Sequence, residues 1–144
     1  MSVEIRPARD AAELEAALAV RRAVFIDEQG VGEAEEMDGR DDEALHLVAV
    51  EPPGDVVATC RLLAADEKVK LGRVAVLPRA RRRGLALALL RAAEPEAIAL
   101  GGERIVLGAQ TYALGLYEQA GYIVTSEPFL DAGLEHVWME KVLR

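Results

Sequence analysis

The run VAVLPRARRRGLALALL, residues 74–90, constrains the fold more than any other stretch of this 144-residue chain. An apolar, strand-like segment is stopped by Pro78. Arg79, Arg81, Arg82 and Arg83 follow, and Gly84 then opens a helical pattern in which Ala86, Leu89, Leu90, Ala93, Ala97 and Leu100 share a face. A strand that hands over to a helix across so short a turn leaves the helix's first amides free beside the strand end. Those amides and the aligned peptide dipoles make an anion site, and glycine lets an anion approach the backbone closely. One helix end contributes only about 0.3–1 kcal/mol toward a surface anion. Converging amides and neighbouring guanidinium groups therefore have to act together. The same residues also read as a solvated turn with Gly84 as a plain helix start. Two familiar phosphate loops are excluded. A Walker loop needs Lys and Ser or Thr after its last glycine, where this chain has Leu85, and a dinucleotide fingerprint needs further glycines at set spacing.

The rest of the chain supplies the layers. Val3 and Ile5 alternate with polar neighbours as a short first strand ended by Pro7. Asp10 and Glu13 have capping-box spacing ahead of a helix through Leu14, Ala17, Leu18, Val24 and Phe25, expected to run to about Glu28. Residues 30–43 are acidic and glycine-containing, a loop or short irregular helix. LHLVAVE and VVATCRLLAA, separated by PPGD, form a hairpin that KVKLGRVAVLP extends into a meander. Pro95 lies inside the helix that follows Gly84 and predicts a kink or break near Glu94, at about 3 kcal/mol for an interior proline. RIVLGA reads as a strand, YALGLYEQA as a helix, and YIVTS and HVWMEKVL as strands. The order is βα, a β-meander, then αβαββ, an α+β plan in one domain spanning 1–144.

Composition narrows the partners. With 51% hydrophobic and 29% charged residues the chain is a folded globular domain. No run is long enough to span a membrane, and MSVEIRPARD lacks a signal peptide's apolar core, so a cytoplasmic protein is expected. The single Cys60 sits in an apolar run and reads as a core thiol. A formal net charge of −8 and 4% aromatics disfavour nucleic acid and anionic membrane as partners. Two distant histidines and one cysteine offer no metal cluster. Whether the chain pairs as a homodimer is left open.

Arg81, Arg82, Arg83, Gly84, Leu85 and Ala86 match the signature of the GCN5-related N-acetyltransferases (GNAT): Arg or Gln, two residues, Gly, one residue, Gly or Ala. The strand before it and LYEQAGY about thirty residues after it strengthen the resemblance, which covers nearly the whole chain. RRAVFIDEQGV, DDEALHLVAV, LGRVAVLP, LGAQTYALGLYEQAGY and FLDAGLEHVWMEK are similar to the bacterial ElaA-type subgroup. The resemblance implies a mixed, mostly antiparallel sheet of six to seven strands flanked by helices. It implies acetyl-CoA as co-substrate without a metal, and direct transfer of the acetyl group to a primary amine in a ternary complex.

Residue by residue, the resemblance implies that Val74, Ala75 and Val76 lie beside the pantetheine arm, and that the amide of Val76 polarises the thioester carbonyl. It implies that amides from Arg82 to Leu87 hold the pyrophosphate, with Arg81 beginning the loop. Gln110 stands where the family often has an asparagine that contacts the cofactor, and Tyr117 matches the acid that protonates the CoA thiolate. A phenol, with its ordinary pKa near 10, is protonated at neutral pH. A lysine-like acceptor costs about 4–5 kcal/mol to deprotonate at pH 7, so a base or water chain is needed. Glu28, Asp38, His46 and His136 are the candidates by residue type and place, and the acidic stretch 33–43 is either a field for a cationic acceptor or a solvated surface. A non-catalytic acyl-CoA-binding regulatory module is the alternative reading.

Overall fold

The computed structural model describes residues 2–143. In chain order the elements are β1 (Glu4–Pro7), α1 (Ala11–Arg21), a π-helical turn (Arg22–Glu28), α2 (Glu33–Glu36), β2 (Leu45–Glu51), β3 (Asp55–Ala65), β4 (Lys68–Val76), α3 (Leu85–Ala99), β5 (Arg104–Gln110), α4 (Leu114–Gln119), β6 (Ile123–Val124), β7 (Phe129–Asp131) and β8 (Leu134–Val142). One sheet runs β1-β2-β3-β4-β5-β8-β6, with β7 also on β8. Every pairing is antiparallel except β4 with β5. The expected α+β class stands.

Two helices sandwich the sheet's centre. Ala17, Val20 and Val24 pack on Val48, Val56 and Ala75 of one face. Leu89, Leu90, Ala93 and Ala97 of α3 pack on Leu47, Leu62, Leu71, Ile105 and Leu107 of the other. Strand β3 is covered on both sides, so VVATCRLL is buried along its whole length rather than at alternate residues. Each fully buried leucine contributes about 1.5–3 kcal/mol.

Three details differ from expectation. The helix after Gly84 is unbroken through Pro95. Pro95 and Arg91 lie on its exposed side, so the Arg91 carbonyl that Pro95 cannot satisfy faces water, while the buried residues on either side hold the helix in place. The first helix is α-helical only to Arg21. It then widens, with Gln29 N–H donating to the Val24 carbonyl five residues back. Finally, the sheet has eight strands, because YIVTS pairs only through Ile123 and Val124 and an extra strand, β7, forms a hairpin with β8. Its turn residues Ala132 and Gly133 both have positive φ, 53° and 76°.

Candidate active site

Strands β4 and β5 pair only at Lys68–Arg104, Val69–Ile105 and Lys70–Val106. Beyond that point β4 stays with β3 and β5 stays with β8, so the two strands diverge and open a cleft of about 740 Å³. Strand β4 also bulges there. Thr59 faces Ala75 and Arg61 faces Gly72, which leaves Arg73 and Val74 opposite the single residue Cys60. Arg73 takes the positive φ of 54° that the bulge requires.

The backbone of β4 is presented to this cleft. Leu77 N–H donates to the Val57 carbonyl at 2.9 Å, so by strand alternation the N–H and carbonyl of Val76 point away from β3. The Val76 carbonyl on that side accepts from Arg81 Nε at 3.0 Å. Val74, Ala75 and Val76 all line the cleft.

At the cleft's end lies the turn into α3. Arg82 and Gly84 both adopt left-handed backbone, at φ 66° and 75°. Gly84 caps the helix, and the first bond back to it comes from Ala88. The six consecutive amides of Arg82, Arg83, Gly84, Leu85, Ala86 and Leu87 have no backbone partner among the described residues. The arginine side chains are largely committed. Arg81 forms a two-pronged pair with Glu28 at 2.6 and 2.8 Å, while Arg79 and Arg83 both bond Glu51, at 2.6 and 3.1 Å. Only Arg82 of the four makes no ion pair among the described residues.

Across the cleft, Gln110 Nε2 donates to Gln29 Oε1 at 3.0 Å, while its own Oε1 is buried without a partner. Tyr117 lines the same wall, and burial pushes its phenol up to about 12, so it is neutral across the physiological range. The residues fit an acyl-CoA. There are six free amides for a pyrophosphate, an outward-facing strand edge for an amide-bearing arm, and an orphan carbonyl oxygen for a donor. No group of three or more metal-ligating side chains is present among the described residues.

Comparison with known proteins decides the family. Residues 10–143 match the acetyltransferase (GNAT) domain family. The chain is 37% identical over 135 residues to the uncharacterized N-acetyltransferase YjcF of Bacillus subtilis, covering 93% of this chain and 96% of that protein. The chain belongs to the GNAT family. A crystal structure of a Lactobacillus plantarum protein assigned as an N-acetyltransferase resembles it with a TM-score of 0.91 at 32% identity over 100% of both chains. Escherichia coli ElaA gives 0.84 at 26% identity over 97% of this chain and 99% of that one, in keeping with the ElaA-type resemblance.

Within this GNAT domain the candidate bases have unequal surroundings. His136 lines the cleft beside Gln110, its partner across β5 and β8. Its Nδ1 lies 2.7 Å from the Leu134 carbonyl, which only accepts, so Nδ1 is the donor and in the neutral ring the lone pair is on Nε2. Glu28 also lines the cleft, but hydrogen bonding to Arg81 holds its carboxyl below the usual range. Asp38 is tied to Arg61 and held well below the carboxylate range by that contact. His46 does not line the cleft. It is a buried residue of β2, with Nε2 2.9 Å from the Asp41 carbonyl.

The acidic stretch has a structural use that its composition hid. Arg21, 1% exposed, bonds Glu36 and Asp41 at 2.6 Å each, and Arg61 bonds Asp38 and Asp41. Arg73, at the bulge, donates to the carbonyls of Glu35 and Glu36 at 3.2 Å. Three carboxylates that could have formed a field are thereby neutralised by three arginines, and α2 is fastened to the bulged strand. Gln29, Phe129 and Trp138 also line the cleft and were not singled out in the sequence. The Asp-Ala-Gly turn between apolar residues was the available signal for the Phe129 strand.

Proposed function

We propose that this GNAT domain transfers the acetyl group of acetyl-CoA directly to a primary amine of a small molecule or peptide. The observation that carries the proposal is the continuity of the cleft: free amides of Arg82 to Leu87 at one end, the outward-facing Val76 amide along β4, and Tyr117 and His136 on the opposite wall. Bound acetyl-CoA would supply the activated acetyl thioester.

The chain's own residues then divide the work. The Val76 N–H is a fixed donor where negative charge develops on the carbonyl oxygen. Tyr117, kept neutral by burial, holds a proton for the departing sulfur. The Nε2 lone pair of His136 receives the amine's proton, directly or through water. Direct transfer is favoured because the one thiol cannot act as an acyl carrier: Cys60 is 1% exposed in the core, and burial pushes it up to about 12.

The test is release of free thiol from acetyl-CoA against a broad panel of amines and peptides. Turnover with any amine supports the reading. CoA-dependent thermal stabilisation with no turnover across the panel would instead establish a non-catalytic acyl-CoA-binding module.

A further inference from the structure

Aromatic residues are scarce in this chain, and their placement is uneven. Of its six Phe, Tyr and Trp side chains, five line the one cleft: Phe25, Tyr112, Tyr117, Phe129 and Trp138. Phe25 and Tyr117 pack against the core, but Tyr112, Phe129 and Trp138 belong to neither core cluster, so core packing does not account for those three. Trp138 and Tyr112 are in fact 39% and 79% exposed.

Three cleft rings form a continuous shelf. Gln110 pairs with His136 and Gly108 with Trp138, which puts His136 and Trp138 on one face of β8. The indole lies over the sheet at Gly108, where a Cβ would meet Trp138 Cζ3 at 3.5 Å, an ordinary van der Waals contact. Phe129, on β7, stacks on both neighbours, 5.9 Å from His136 and 5.2 Å from Trp138, with interplanar angles of 25° and 26°. The shelf therefore starts at the group proposed to accept the amine's proton and extends along β8 by about one two-residue repeat, roughly 7 Å. At its far end Lys70 Nζ lies 5.5 Å from the indole centroid.

The charges of the wall point the same way. Among its carboxylates Glu28, Glu36 and Asp38 are held by Arg81, Arg21 and Arg61, so only Glu35 and Asp131 make no ion pair among the described residues. A polycationic or amino-sugar acceptor needs several free acceptors, and this wall offers few. A flat apolar body with a single ammonium matches it.

We infer that the acceptor subsite takes a primary amine carried on a short spacer from an aromatic ring, with the ring packed on Phe129 and Trp138 and the nitrogen toward His136. The inference rests on the acyl-transfer reading for placing the amine beside His136. Stacking on two rings beyond area burial favours such an amine over an aliphatic one of equal length by about tenfold.

Trp138 is the only tryptophan, so its fluorescence reports binding at the shelf without any turnover. The experiment titrates CoA-saturated protein with 2-phenylethylamine, n-hexylamine and spermidine, follows the indole emission, and measures acetyl-CoA thiol release with the same amines. The expected result is saturable change with 2-phenylethylamine at an affinity about tenfold above the other two, reduced about threefold in Phe129→Leu that is still stabilised by CoA. Equal or weaker affinity for 2-phenylethylamine overturns the inference, even if thiol release proceeds with aliphatic amines and the acetyltransferase reading stands. Tight 2-phenylethylamine binding with no thiol release from any amine keeps the shelf as a binding site and overturns the catalytic reading instead.

Discussion

The two ends of the cleft are made of different material. The cofactor end is backbone: six unpaired amides before and within the first turn of α3, and the outward edge of β4 at Val76. The end proposed for the acceptor is side chain: the ring stack of His136, Phe129 and Trp138, and a charge network joining Arg21, Glu36, Asp38, Asp41, Arg61 and Arg73. A backbone site depends on chain direction and a few positive φ angles, so most side chains in it are free to vary. A side-chain site depends on each partner being present. The difference teaches where a substitution should be silent and where it should not.

The largest effect is expected where the two ends meet. Tyr117→Phe should lower kcat by about 10²–10⁴-fold, the range for a positioned acid, while CoA binding measured by thermal shift is retained. Normal turnover would remove Tyr117 from the mechanism. At the acceptor end, Glu36→Ala leaves buried Arg21 with Asp41 as its remaining carboxylate and should cost about 1–3 kcal/mol in urea unfolding. At the cofactor end, Gly84→Val places a branched residue at φ 75°, at roughly 1–2 kcal/mol of backbone strain, and should weaken CoA by about tenfold. The built Cβ meets nothing within 4 Å, so this cost is conformational rather than steric.

Smaller effects sharpen the contrast. Arg61 holds the Asp38 carboxyl below its unfolded value. The stability it contributes is therefore present above about pH 4 and lost as pH falls toward the lower folded pKa. Asp38→Asn should lower the unfolding free energy measured in urea at pH 7 by about 1–3 kcal/mol and make the acid limb shallower. An unchanged limb would show that the pair adds nothing. Smallest of all, Arg82→Ala should change CoA affinity by no more than about threefold at physiological salt, because its side chain is exposed and only its amide is expected to bind.

The same contrast explains what the sequence could say. The strand, Pro78, the arginine turn, Gly84 and the periodic helix are contiguous, so local rules read them together. Asp10 is likewise legible, and its Oδ1 does accept from Glu13 N–H at 2.9 Å. Charge pairing was not legible. Glu28 meets Arg81 from 53 positions away and Asp38 meets Arg61 from 23, so carboxylates that look free in the sequence are bound in the fold. Their residue type marked them as bases, and their partners reduce that capacity. Among the candidate bases His136 gained most from three dimensions, because the hairpin with β7 brings the Phe129 ring onto its face, while its Nδ1 contact with the Leu134 carbonyl is local to β8. Pro95 shows the opposite failure, a valid local rule set aside because the unsatisfied carbonyl faces solvent.

The central claim is that backbone amides, rather than arginine side chains, hold the cofactor's phosphates. Backbone amide NMR of the ¹⁵N-labelled protein during CoA titration addresses it directly. The expected result is that Arg82 to Leu87 and Val76 show the largest shifts and slowed amide exchange, with the same pattern in Arg82→Ala. If those amides stay unperturbed at saturating CoA, or if Arg82→Ala abolishes binding, the backbone account is contradicted.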